Sequence, residues 1–150
     1  MSFTSQILPD HHQHCDMLFV AAEEAAQSGD WPAARAAFAH FNEQMQAHFE
    51  AEEGVLFPAF EAATGMSSGP TQMMRLEHQQ MRSLLAQLEF ACTEEDADGY
   101  AGAAETLLML MQQHNMKEEN ILYPMCDQAL AAEAQDLGAR IGAMLEKGNA

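Results

Sequence analysis

Six side chains with metal-ligating chemistry occur as two copies of one pattern. His48 opens the stretch HFEAEEGVLFP and His114 opens HNMKEENILYP, so His, Glu, Glu, Leu, an aromatic ring and Pro fall at matching offsets. The stretches lie 66 residues apart, and the same offset carries His12 to His78, Phe41 to Leu107, Met45 to Met111 and Glu52 to Glu118. This constancy over roughly 50 positions indicates duplication of a two-helix unit. Each copy supplies one lone His and one His-x-x-x-Glu. Together His12, His48, Glu52, His78, His114 and Glu118 form the donor inventory of a two-metal site in a four-helix bundle.

The spacing places these donors in a core. Phe41, Met45, His48, Glu52 and Val55 advance by 4, 3, 4 and 3, and Leu107, Met111, His114, Glu118 and Ile121 repeat the steps. His and Glu are therefore expected on a seam that otherwise carries apolar side chains inward. His12 leads Cys15, Leu18 and Phe19, and His78 leads Met81, Leu84 and Leu85, in the same way. The midpoint of His12 and His48 is residue 30, and that of His78 and His114 is residue 96, each inside an expected loop. At 1.5 Å rise per residue each arm is about 27 Å, so both partners of each hairpin reach one level. A buried carboxylate costs several kcal/mol unless it protonates, pairs or coordinates. The chain has only six Lys and Arg, none at these seam positions. Nitrogen and carboxylate donors suit iron, manganese or zinc, and this mixture in a helical bundle favours a di-iron or di-manganese pair.

Neighbouring residues are weighed against the same pattern. Glu53 and Glu119 follow the seam glutamates and rotate off the ligand face by about 100°, which suggests support of a ligand or exposure to solvent. His11, His12 and His14 crowd together; the offset and phase favour His12, with His14 as the alternative because Met17, Val20 and Ala21 follow it in similar phase. His40 aligns with Thr106 and is set aside, while Cys15 aligns with Met81 and reads as core packing. The twelve methionines read as bundle filler.

The elements that must hold the donors are helices throughout. Ala, Met, Leu, Gln and Glu are abundant and β-branched residues scarce. The expected fold is all-α: an up-down-up-down four-helix bundle at about 9–28, 31–62, 70–92 and 98–128, with an additional C-terminal helix near 129–147. The 150 residues suit a single domain. Asp30 is the expected N-cap of the second helix, with Pro32 in its first turn. Pro58 and Pro124 are expected to kink or end their helices. Leu130, Ala134, Leu137, Ile141 and Met144 form a stripe on the last helix, which either packs back on the bundle or makes a homodimer surface.

Composition excludes some partners. A formal charge of −17 repels nucleic acid and anionic membranes. No apolar run approaches the roughly 18–20 residues that span a bilayer, and MSFTSQILPDHH has neither the basic segment nor the apolar core of a secretory signal. Three cysteines without paired spacing suggest reduced thiols in a cytoplasm.

With its His12 region, HFEAEEGVLFP, the LEH ending at His78 and HNMKEENILYP, the chain resembles the hemerythrin-like family of HHE cation-binding domains over about residues 5–128. The resemblance implies a four-helix bundle with a non-haem di-iron centre held by His12, His48, Glu52, His78, His114 and Glu118, both glutamates bridging. Manganese or zinc would accept the same donors. Oxygen-carrying members have a second His one turn from the third-helix ligand, where Met74 and Arg82 stand here, and an Asp where this chain has Glu119. This departure argues against reversible oxygen carriage. The leading expectation is a non-catalytic protein that senses or scavenges oxygen, nitric oxide or iron. The alternatives are a di-iron oxidase, peroxidase or nitric oxide reductase, with Tyr123 and Cys126 as candidate proton donors, and a metal storage protein.

Overall fold

The computed structural model describes the backbone of residues 3–148 and the side chains of residues 6–146, and every regular element among them is helical. Helix α1 (Phe3–Gln27) begins earlier than residue 9 and carries Pro9 inside it. The proline forfeits one backbone bond near the helix start, while Leu8 beside it is fully buried and holds this turn on the core. Asp30 caps α2 (Trp31–Ala51) as expected, accepting from the Ala33 N–H. A wide turn over Glu52–Leu56 joins α2 to α3 (Phe57–Thr64), which stops at Gly65 with φ 73°. Helix α4 (Pro70–Thr93) follows, then α5 (Ala97–Lys117), capped by Asp96. A second wide turn over Glu118–Leu122 leads into α6 (Tyr123–Ala129), and a 3-10 turn precedes α7 (Ala134–Gly148).

The two wide turns are π-helical and fall at matching places in the duplication. Phe57 N–H reaches back to the Glu52 carbonyl, and Tyr123 N–H to the Glu118 carbonyl. Each bond spans five residues, so one extra residue enters the turn, a feature common at functional sites. Pro58 and Pro124 sit in the first turns of α3 and α6. They do not end the helices, because a missing N–H at the start of a new helical segment costs little. The extra residue turns the following side chains by about 100°. Ile121, expected on the seam, is therefore 56 % exposed, and Leu122 and Tyr123 are buried in its place. Val55, at the matching place of the first π turn, stays buried with Leu56 and Phe57 because α7 packs over that turn.

Helices α1, α2, α4 and α5 close the bundle, and α7 packs across α1 and α2. The fifth helix starts at residue 134 instead of 129, because Leu130 leaves helical geometry at φ −113° and ψ 21°. Leu137 and Ile141 of its stripe are buried against the bundle, Ala134 and Met144 are partly buried there, and Leu145, outside the expected stripe, is buried beside them. The core forms two apolar clusters. One surrounds Phe19, Phe41, Leu85 and Leu107, and the other surrounds Leu8, Leu56, Phe57 and Leu122. A polar layer separates them. Among the described residues, no helix is long and apolar enough to cross a membrane.

Candidate metal centre

The polar layer contains all six residues singled out by spacing. Glu52, His78 and Glu118 are 0 % exposed, His114 2 %, His48 3 % and His12 5 %. Their donor atoms converge. Glu52, His78, His114 and Glu118 offer one group of atoms within 4.8 Å of one another, and His12, His48 and Glu118 offer a second. Glu118 belongs to both, so the layer is laid out as two adjoining positions. His12 Nε2 lies 3.1 Å and His114 Nε2 3.3 Å from Glu118 Oε1, while His78 Nε2 lies 3.1 Å and His48 Nε2 3.5 Å from Glu52 Oε1. His14 lies outside the layer, with its ring edge-on to His40.

All four imidazoles turn Nε2 inward because something holds each Nδ1. Glu119 Oε2 is 2.6 Å from His12 Nδ1, Glu53 Oε2 is 2.6 Å from His78 Nδ1, and Glu77 Oε1 is 2.8 Å from His114 Nδ1. Glu53 is in turn held by Arg82 at 2.9 Å, and Glu77 by Lys117 at 2.6 Å. Arg82 and Lys117 thus neutralise Glu53 and Glu77 and leave the central pair alone. His48 differs, because its Nδ1 meets His11 Nδ1 at 2.8 Å. Glu53 and Glu119 fill the supporting role suggested by their position in sequence. Glu77 and His11 were not foreseen in theirs, although the duplication maps one onto the other.

Tyr123 completes the layer from below. Its hydroxyl donates to Glu52 Oε2 at 2.6 Å and stands 2.9 Å from Glu118 Oε1. The π turn brings it there, and Phe57 occupies the matching place in the first copy. Cys126, the other candidate proton donor, is buried in the lower apolar cluster, where burial pushes its thiol pKa up.

Electrostatics favour a cation in this layer. Burial opposes charge on His12 and His78, but the carboxylates outweigh it: Glu118 and Glu119 raise His12 to about 10, and Glu52 and Glu53 raise His78 to about 9. His114 is also raised against burial, chiefly by Glu118. His48 is lowered by burial. Burial opposes ionisation of Glu52, yet His48 and the surrounding donors hold it well below the usual carboxylate range. Tyr123 is pushed well above its ordinary value by burial and by Glu118 and Glu52. Glu52 thus keeps its charge, and His12, His78 and His114 gather positive charge around it.

The donor atoms fit a metal site. Glu52 Oε1, His78 Nε2, His114 Nε2 and Glu118 Oε2 are buried without a hydrogen-bond partner. Buried polar atoms rarely remain so unless another partner serves them. Imidazole nitrogen and carboxylate oxygen, held by outer carboxylates, are the arrangement of metal-ligating histidines. Above the layer lies a cavity of about 10 Å³, bordered by His12, His48 and His114, about the room that a single water molecule needs. Four sulfur side chains line it: Cys15, Met45, Met81 and Met111. Each comes from a different bundle helix, and the 66-residue offset pairs Cys15 with Met81 and Met45 with Met111.

Fold and site together define a helical-bundle protein with a buried His/Glu layer suited to metal. The family description "Hemerythrin HHE cation binding domain" matches residues 2–126, and the chain belongs to that family. No curated protein and no solved structure gives a significant match.

Proposed function

We propose that this protein holds two non-haem iron ions on His12, His48, Glu52, His78, His114 and Glu118 and uses them to sense or scavenge a small ligand, oxygen or nitric oxide. The observation that carries this reading is the six-donor layer itself, with four buried donor atoms lacking hydrogen bonds beside a one-molecule cavity. When bound, iron supplies an open coordination position and one-electron redox chemistry. The protein supplies the rest. Outer glutamates hold His12, His78 and His114 with Nε2 inward, and Glu118 is available to both positions. The cavity wall, mainly sulfur side chains and imidazoles with Phe49 and Asn115, suits a small, weakly hydrated guest better than an ion. Manganese or zinc on the same donors is the competing metal assignment.

A second reading, a di-iron oxidase, peroxidase or nitric oxide reductase, draws support from Tyr123. Its hydroxyl touches both central carboxylates and is the nearest proton-bearing group to them. Three free, buried cysteines support a reducing compartment such as the cytoplasm. A homodimer through α7 would use its outer face, since Leu137, Ile141 and Leu145 are engaged by the bundle.

The test is anaerobic loading with ferrous iron, followed by stopped-flow mixing with oxygen or nitric oxide. A spectral change that saturates at the iron content supports sensing or scavenging. Consumption of either gas in multiples of the iron present supports the enzyme. Indifference to both gases contradicts the proposal.

A further inference from the structure

Three of the four inward-facing imidazoles are backed by a carboxylate, and one is not. His48 Nδ1 meets the ring of His11 at 2.8 Å. The duplication makes the exception legible, because His11 and Glu77 are 66 residues apart and each stands 37 residues before the imidazole it holds. A neutral ring occupies in the first copy the place a carboxylate occupies in the second.

The exchange changes what fixes the proton. A carboxylate only accepts, so it obliges its imidazole to carry hydrogen on Nδ1, and Nε2 is then the nitrogen a metal would take. An imidazole can donate or accept, so the choice passes to the group on its far nitrogen. Here that group is Gln44, whose Oε1 lies 2.8 Å from His11 Nε2. Accepting from His11 Nε2–H, it leaves His11 Nδ1 bare. His11 Nδ1 then accepts from His48 Nδ1–H, and His48 Nε2 is free. Cys15 Sγ, 3.8 Å from the same His11 nitrogen, adds a weak thiol donor in the same sense. Turning the Gln44 amide over would present N–H to His11 and reverse both bonds. The proton would then sit on His48 Nε2, where it blocks coordination. Gln44 is 0 % exposed, and among the described residues its Nε2 has no hydrogen-bond partner, so its Oε1 contact with His11 is the side-chain bond that marks its orientation.

We infer that His11 and Gln44 are positioning residues that set the tautomer of His48 without lending it charge, so that the metal position built on His12 and His48 is the weaker and more exchangeable of the two. A carboxylate behind an imidazole raises its basicity as a ligand, and a neutral ring does so less. Donor number points the same way: His12, His48 and Glu118 are three residues, and Glu52, His78, His114 and Glu118 are four. The inference rests on the metal-binding reading above.

The experiment loads the full chain with two equivalents of cobalt(II) and follows release to excess chelator. Two phases are expected. His11→Glu, which gives the first copy the carboxylate of the second, should slow the fast phase by about tenfold or more. Gln44→Leu should quicken that phase and leave the slow one unchanged. Should Gln44→Leu not fold, Gln44→Glu, an acceptor in the same place, is expected to slow the fast phase. Equal changes in both phases, or a fast phase indifferent to His11→Glu, would overturn the inference. A readout independent of metal is nitrogen-15 NMR of the chelator-treated protein, which should place the His48 proton on Nδ1; a proton on Nε2 overturns the role given to His11. A chain that takes up no cobalt fails the metal-binding reading itself, and the tautomer measurement still decides what His11 does.

Discussion

Adjacent glutamates, Glu118 and Glu119, should differ sharply when each is replaced by alanine. Glu118 is fully buried and contributes to both donor groups. Its removal reduces the His12–His48 position to two imidazoles and the other to three residues, so the first should be lost and the second weakened. Glu119 hydrogen-bonds the outer nitrogen of His12 at 2.6 Å, and its side chain is 38 % exposed. A hydrogen bond to a charged partner contributes about 1.5–3 kcal/mol. Water can replace part of this at an exposed carboxylate, leaving about 1.4 kcal/mol, or about a tenfold loss of affinity at one position. Cobalt(II) titration against a competing chelator separates these cases, because it returns stoichiometry and affinity together. Glu118→Ala should lower the number of ions bound, whereas Glu119→Ala should keep two ions and weaken one. Equal metal loss from the two variants would refute the assignment of Glu118 as ligand and Glu119 as its neighbour's support.

Three further outcomes follow from the same geometry. Chelator-treated protein should lose stability as pH rises. The raised values of His12 (about 10) and His78 (about 9) contribute stability that is complete below about 6.5 and lost through 9–10; His78 alone accounts for about 3 kcal/mol, and urea midpoints that stay flat from pH 7 to 10 would contradict this. Tyr123→Phe should fold, since Phe57 fills the equivalent place, but should cost about 1–3 kcal/mol in urea denaturation of the chelator-treated protein because Glu52 Oε2 loses its 2.6 Å donor. Leu122→Ala should cost about 2–5 kcal/mol and Ile121→Ala well under 1, given exposures of 1 % and 56 %; the reverse order, measured by thermal unfolding, would place the π turn elsewhere.

The bundle and its six-donor layer were legible because duplication repeats chemistry at one offset, and helical periodicity carries His48 and Glu52, or His114 and Glu118, to one face. Periodicity failed one turn later. The extra residue in each π turn leaves no compositional mark, so Ile121 fell on the seam by extrapolation and on the surface in fact. The prolines marked the right places, as kink sites, but could not specify a five-residue hydrogen bond. The groups behind the imidazoles were harder to read. Glu53 and Glu119 reach His78 and His12 on other helices, and Glu77 and His11 reach across 37 residues of chain. Such pairs depend on how neighbouring helices are rotated, which a one-dimensional pattern does not contain. In the sequence His11 is a crowding neighbour of His12, and its alignment with Glu77 is the clue to its place. Tyr123 reached the layer only through the π turn.

The central claim is that this layer holds a pair of metal ions. Its most direct test is metal analysis of protein loaded anaerobically with ferrous iron to saturation and freed of excess. The two donor groups that share Glu118 predict two iron ions per chain. A saturated stoichiometry of one would contradict the paired centre, and a stoichiometry of zero would contradict the metal-binding role of the layer.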